Sequence, residues 1–193
     1  MTARRRGRPK ADGNTVSPDA ILSAALSILD AEGLDRLTMR ALATRVGINP
    51  MTIYHHFTDR DGLIRALADA VYADIAAPQT GDALARAHGL LAAYYTRVAA
   101  HPGLTLAIFV RPEIFPDQAK RITRDLAALL AELGLPANRS LRWTHILVDY
   151  THGAALAVAA GGQGASPQMR EDFENGLSEL LDALSRTAPG AKA

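Results

Sequence analysis

Hydrophobic positions recur along this chain at three- and four-residue intervals, and no strictly alternating stretch is long enough to make a strand. Ile21, Leu22, Ala25, Leu26 and Leu29 line one face of a first helix. Val16, Ser17 and Pro18 open it as staple, cap and first-turn proline, and Gly33 stops it. Residues 37–57 read as two short helices joined by a tight turn. Thr58 or Asp59 then caps a longer helix with Leu63, Ile64, Leu67, Val71 and Ile75 on one face. Ala76-Ala77-Pro78 with Gly81 marks a boundary. Beyond it, Leu84, His88, Leu91, Tyr95 and Val98 define a helix over 82–100, ended by His101-Pro102-Gly103. A short segment, 104–110, stops at Arg111-Pro112. Ile122, Leu126, Leu129, Leu130 and Leu133 define 117–133, and a helix over 138–160 runs into the loop Gly161-Gly162-Gln163-Gly164. Ser166-Pro167 opens the last helix, which places Phe173, Leu177, Leu180, Leu181 and Leu184 in line. The pattern predicts an all-α chain in three parts: an arm over 1–15 with no apolar periodicity, a unit over 16–77, and a larger helical unit over 78–193.

The stretch 37–57 carries the most information. Thr38 stands where an N-cap oxygen bonds free helix amides, and Leu37 and Leu42 flank it at staple spacing. Gly47 supplies the positive φ that ends the first helix, and Asn49 and Pro50 suit the cap and first position of the second. Ala43, Gly47 and Ile53 put a small residue, a turn and an apolar residue where two crossing helices touch. This is how a helix-turn-helix is built. Plain core packing also produces capped helix pairs, but it has no need of Arg40, Arg45, His55, His56 and Arg60 around helix starts bearing Thr38, Asn49 and Thr52. From Arg36 to Arg60 four arginines stand against one acid, Asp59. The surface chemistry favours nucleic acid over packing alone.

The net charge is +1, so the distribution matters more than the sum. Residues 1–10 carry Arg4, Arg5, Arg6, Arg8 and Lys10 with no acid, whereas residues 76–193 balance at eleven basic and eleven acidic. The arm is expected to be disordered when free. Its Arg6-Gly7-Arg8-Pro9 is similar to the core of an AT-hook, which lays two arginines into a narrow A·T minor groove. The alternative is a solvated arm that touches phosphates without reading sequence. The absence of cysteine excludes disulfides and thiolate chemistry. No apolar signal core follows the basic start, which argues against secretion. The segment 141–160 has about membrane length but holds Arg142, His145, Asp149 and His152, so it reads as a buried helix of a cytoplasmic protein and not as a span. His145, Asp149 and His152 lie at i, i+4 and i+7, a spacing that could face a metal, but without a fourth ligand the expectation is hydrogen-bonded polar groups. The 161–164 loop lacks the glycine spacing of a dinucleotide turn. No cofactor, metal or catalytic constellation is called for.

Over about residues 17–71 the chain resembles the DNA-binding domain of the TetR family of transcriptional regulators. Thr38, Arg40, Leu42, Ala43, Gly47, Thr52, Ile53, Tyr54, His56 and Phe57 carry the likeness, with the run Asp59-Arg60-Asp61-Gly62-Leu63-Ile64-Arg65-Ala66-Leu67. The resemblance implies a three-helix helix-turn-helix DNA-binding domain followed by a helical ligand-binding and dimerisation domain. It implies a homodimeric repressor of double-stranded DNA, released from a pseudo-palindromic operator by a small-molecule effector. The last two helices would pair with their twins, where Gly153, Ala154, Ala155, Ala157, Ala159 and Ala160 allow close approach. Arg111-Pro112 resembles the end of the sixth helix of tetracycline-type repressors, which use a His and a Thr there for the drug's magnesium. Ala107 and Val110 stand in their place here and argue against that ligand.

The residues expected at DNA are Arg6 and Arg8 of the arm, Thr38 on a phosphate and Arg40 at a base. Pro50 and Met51 suit thymine methyls, Asn49 and His55 suit base edges, and Thr52 shares their exposed face. Tyr54, His56 and Arg60 match family positions that grip phosphates. A largely apolar pocket is expected among residues 82–160, with Tyr95, Phe109, Trp143, His145 and His152 as lining. Two rival classes remain: an all-α enzyme, for which no positioned acid–base pair is recognisable, and a helical interaction module without DNA binding.

Overall fold

The computed structural model describes residues 16–111, 113–160 and 166–187. Arg6, Arg8 and the rest of the basic arm, Pro112 and the 161–164 loop lie outside them. The described chain is all helical: α1 (Pro18–Glu32), a 3₁₀ turn (Leu34–Arg36), α2 (Met39–Val46), α3 (Pro50–Phe57), α4 (Arg60–Tyr72), α5 (Ala83–Ala100), α6 (Pro102–Phe109), α7 (Asp117–Glu132), α8 (Ala137–Ala160) and α9 (Pro167–Ser185).

Local chemistry sets most of the ends. The Ser17 hydroxyl accepts from the Ala20 amide, Asp82 caps α5 through Ala85, and Ser166 caps α9 through Met169. Gly33 and Gly47 hold positive φ at the ends of α1 and α2. The buried face of α1 is Ile21, Ala25, Ile28 and Leu29. Leu22 and Leu26, expected on that face, are only half-buried.

Three boundaries differ from the periodic reading. Residues 34–36 form a 3₁₀ turn, short enough to leave no periodic trace. α4 ends at Tyr72, and Ile75 reaches the core from the turn beyond it. α6 starts at Pro102, which suits a first position, and Gly103 lies inside it because a Cβ there would come within 3.0 Å of the Leu29 carbonyl oxygen.

α1 to α4 form one cluster around Ile21, Leu29, Leu37, Leu42, Ile53, Leu63 and Leu67. α5 is the hub of the rest, packed on α7, α8 and α9. α6 bridges the two groups through α1, the 3₁₀ turn, α4 and α5. Thr144 and Thr151 are buried on α8, and each hydroxyl donates at 2.8 Å to the carbonyl one turn earlier, so neither is left unpaired.

Candidate nucleic-acid interface and the core behind it

α2 and α3 meet across a junction held by its own caps. The Thr38 hydroxyl accepts from the Ala41 amide at 3.1 Å, and Leu37 and Leu42 close the staple in the core. Gly47 turns the chain with φ 75° and donates to Ala43. Asn49 Oδ1 accepts from the Met51 amide at 2.9 Å, and Pro50 occupies the first position. Ile53 and Phe57, one turn apart, pin the inner face of α3 to the core, so the opposite face must look outward. Met51, Tyr54, His55 and His56 are exposed on it, as are Thr38 and Arg40 on α2 and Asn49 at the junction; Pro50 and Thr52 are half-buried. Met51 is 60% exposed, an apolar side chain left uncovered by the described residues. Neither α2 nor α3 has an acid in its first turn, so the positive ends of both dipoles are open to an anion.

The arginines are less free than their spacing suggests. Arg45 pairs with Glu32 of α1 at 2.6 Å. Arg60, expected to grip a phosphate, instead turns inward and donates to the Leu34 carbonyl, with its Nε buried and unpartnered among the described residues. Burial, and then the neighbouring Arg111 guanidinium, lower its pKa. Its place in the structure is a brace between the start of α4 and the 3₁₀ turn, because the side chain lies over that turn and not over the outer face of α3.

The α3–α4 corner holds features that sequence reading missed. Thr58 has φ 62° and ψ −57°, and the Asp59 amide donates to the Phe57 carbonyl at 2.6 Å, a γ-turn of the rarer, strained kind. Asp59, not Thr58, caps α4, through the Gly62 amide at 2.7 Å. A Cβ on Gly62 would fall on the Phe57 carbonyl oxygen. The one signal available was a glycine inside the first turn of a helix, where glycine is otherwise disfavoured.

The five expected pocket residues do not converge. Phe109 of α6 and His152 of α8 meet edge to face at 4.8 Å between ring centroids. Their companions are Tyr94, whose hydroxyl lies 2.6 Å from His152 Nε2, and Tyr72, which packs on Tyr94 and bonds Thr105 at 3.2 Å. Tyr95, one residue on and about 100° around α5, stacks on Phe173 at 4.0 Å, and Phe173 stacks in turn on Tyr150. Trp143 is half-buried and His145 is exposed on the outer face of α8. Periodicity placed Tyr95 and not Tyr94 on the buried face of α5, whereas both are buried, since both sides of that hub are covered. Among the described residues no group of three or more His, Cys, Asp or Glu is close enough to hold a metal.

Burial lowers the His152 pKa, with Asp149 opposing the shift, and burial raises that of the Tyr94 hydroxyl. The pair is therefore neutral near pH 7. The unfolded chain takes up the His152 proton at a higher pH than the folded protein does. The stability His152 contributes is thus complete above about 6.5, its ordinary value, and is lost as pH falls through the lower folded value. His152→Gln, which keeps a partner for Tyr94, should flatten the decline in Tm between about pH 7 and about pH 5; an unchanged decline would mean the proton goes elsewhere.

Among the described residues, two ion pairs and one histidine–carboxylate hydrogen bond tie residues 16–77 to the larger helical bundle, each with the acid on the 16–77 side. Asp30 meets His101 Nδ1 at 2.8 Å, Asp74 meets Arg97, and Asp61 at the start of α4 meets Arg111. Asp30 thus meets the residue between α5 and α6, Asp74 meets α5, and Asp61 meets the chain just after α6.

A cluster of four helices whose second and third form a capped helix-turn-helix, set on a larger helical bundle, is the architecture of a DNA-binding regulator. The family model for bacterial regulatory proteins of the tetR family matches residues 21–67. An uncharacterized HTH-type transcriptional regulator of Mycobacterium tuberculosis is 35% identical over 175 residues, covering 80% of this chain and 79% of that one. The class A tetracycline repressor from transposon 1721 in Escherichia coli is 28% identical, covering 91% of this chain and 84% of the repressor. In three dimensions, BioQ of Mycobacterium smegmatis matches with a TM-score of 0.74 at 23% identity, over 88% of this chain and 98% of that one. BioQ with its natural double-stranded DNA operator matches with a TM-score of 0.71 at 23% identity, over 88% of this chain and 98% of that one. The chain belongs to the TetR family of transcriptional regulators. No helix among the described residues is long and apolar enough to cross a membrane.

Proposed function

We propose that this protein is a homodimeric repressor that binds a pseudo-palindromic duplex and is released by a small-molecule effector. The observation that carries the reading is α3 itself: Ile53 and Phe57 hold it rigidly while Met51, Tyr54, His55 and His56 face solvent. Thr38, Arg40, Asn49, Pro50 and Thr52 complete the DNA face, with Arg6 and Arg8 reaching from the arm. Residues 16–77 serve as the DNA-binding unit, and 78–193 as the effector and dimerisation unit. Leu141 and Ile146 are exposed on α8, and an open trough of about 660 Å³ runs between α8 and α9 past Tyr150, Gly176, Leu180 and Ala183. A twin pair of helices would cover both, as a two-fold interface requires. The effector is anchored between α6 and α8 near Phe109, with the neutral Tyr94–His152 pair as its polar contact. A ligand that weakens operator binding a hundredfold must prefer the non-binding arrangement by roughly 2.7 kcal/mol.

Asn49 separates reading from folding. Its oxygen accepts from the Met51 amide, and its NH2 makes no hydrogen bond among the described residues and is free to meet a base. Asn49→Ser keeps a capping oxygen and should leave Tm nearly unchanged while relaxing preference at one base pair per half-site, by about 1–3 kcal/mol of discrimination. A binding-site selection with both proteins, together with the protomer count per duplex, provides the test. One protomer per selected duplex, or identical selected sequences for the two proteins, would overturn the reading.

A further inference from the structure

α4 and α7 each lack a cap of their own at the ends where they meet. The last turn of α4 carries no basic residue, and α7 starts after Pro116, which makes no side-chain cap. Each end is instead closed by the other helix. Arg121 of α7 points Nη2 at the carbonyls that end α4, 3.3 Å from both Tyr72 and Ala73, and at the Ile75 carbonyl in the turn just beyond, at 2.8 Å. Asp69 of α4 accepts from the Gln118 amide in the first turn of α7 at 2.9 Å. A cation thus sits on the negative end of one dipole and a carboxylate on the positive end of the other. Gln118 Oε1 accepts from Arg121 Nε at 2.6 Å and Asp125 from Nη1 at 3.3 Å, and the two fix the plane of the guanidinium.

We propose that Arg121 is a positioning residue: with Asp69 it locks α4 to α7 by reciprocal capping and so sets the separation of the two DNA-reading heads. Sliding or tilting α4 against α7 breaks two charge-assisted caps at once. α7 is packed on α5 and α8, so α4 moves with that bundle and not as a free rod. The head carried by the start of α4 is then held at one spacing. Shifting a half-site by one base pair moves it about 3.4 Å and turns it about 35°, which a locked head cannot follow.

The inference rests on the dimeric-operator reading, and the test separates the two. The probes are a duplex selected by the unmodified protein from a random library, and two derivatives with its half-sites one base pair closer and one farther apart. The unmodified protein should prefer the parent spacing by about tenfold or more. Arg121→Met should shrink that preference severalfold with half-site sequence and salt slope unchanged. Arg121→Lys should restore it in part, and Lys120→Gln, a charge change on the same helix, should leave it intact. Asp69→Ser provides a second break of the lock should Arg121→Met fail to fold. Equal loss on all three duplexes, or none, means Arg121 serves stability alone and overturns the inference. An unmodified protein indifferent to spacing overturns the dimeric-operator reading, and the inference with it.

Discussion

Gly62→Ala is expected to lower DNA affinity by about a hundredfold, roughly 2.7 kcal/mol, in a helix where the same change should otherwise stabilise. Alanine is favoured over glycine in a helix by about 1 kcal/mol. At this position the added methyl would overlap the Phe57 carbonyl oxygen, and that oxygen has nowhere to go. It accepts from the Asp59 amide inside the γ-turn at Thr58, and the Phe57 side chain is buried in the core. Overpacking of this kind costs about 1–3 kcal/mol, so the net effect on stability is a modest fall. The larger effect is on direction. The corner must open, and opening it swings α3 away from the angle set by Ile53 and Phe57. Thermal denaturation and fluorescence anisotropy on a selected duplex measure both. A Gly62→Ala protein with a raised Tm and undiminished binding would show that the corner tolerates the methyl.

Deleting residues 1–10 is expected to flatten the salt dependence of DNA binding more than any point change in α2 or α3. Each neutralised phosphate contributes about 0.9 to the slope of log K against log salt. The arm carries five cations per protomer, hence ten in a dimer. The folded face offers few by comparison: Arg45 is paired with Glu32, and Arg60 is turned onto the Leu34 carbonyl. Arg40 alone among the proposed contacts of α2 and α3 is an exposed arginine. The truncated protein should keep its fold and oligomeric state, since the deletion ends before Ser17 and the α1 cap, and should lose several units of slope. Loss confined to A·T-rich flanks would mark minor-groove reading by Arg6 and Arg8. Equal loss on all flanks leaves phosphate contact, and an unchanged slope would place the cationic footprint on the folded domain after all.

The helix-turn-helix was legible in the sequence because its determinants are local. Thr38, Gly47, Asn49 and Pro50 act on amides and dihedrals within a few residues, so their spacing alone specifies two capped helices and the turn between them. The same holds for Ser17, Asp82 and Ser166. What the arginines do was not legible, because a guanidinium reaches partners far along the chain: Glu32 for Arg45, Leu34 for Arg60, and the end of α4 for Arg121. The pocket was misjudged for a related reason. Periodicity reports that α5 and α8 are buried, but a helix covered on several sides gives no phase, and only packing separates Tyr94, on His152, from Tyr95, on Phe173. Likewise nothing local marks Gly62 as obligatory, since the atom that excludes a side chain there belongs to the strained turn before its helix. Sequence by itself determined the helices, their caps and the DNA-reading motif, which depend on short-range backbone chemistry. Tertiary structure alone decided which charges are free, which aromatics meet and how α4 is held, since those depend on the approach of groups distant in sequence.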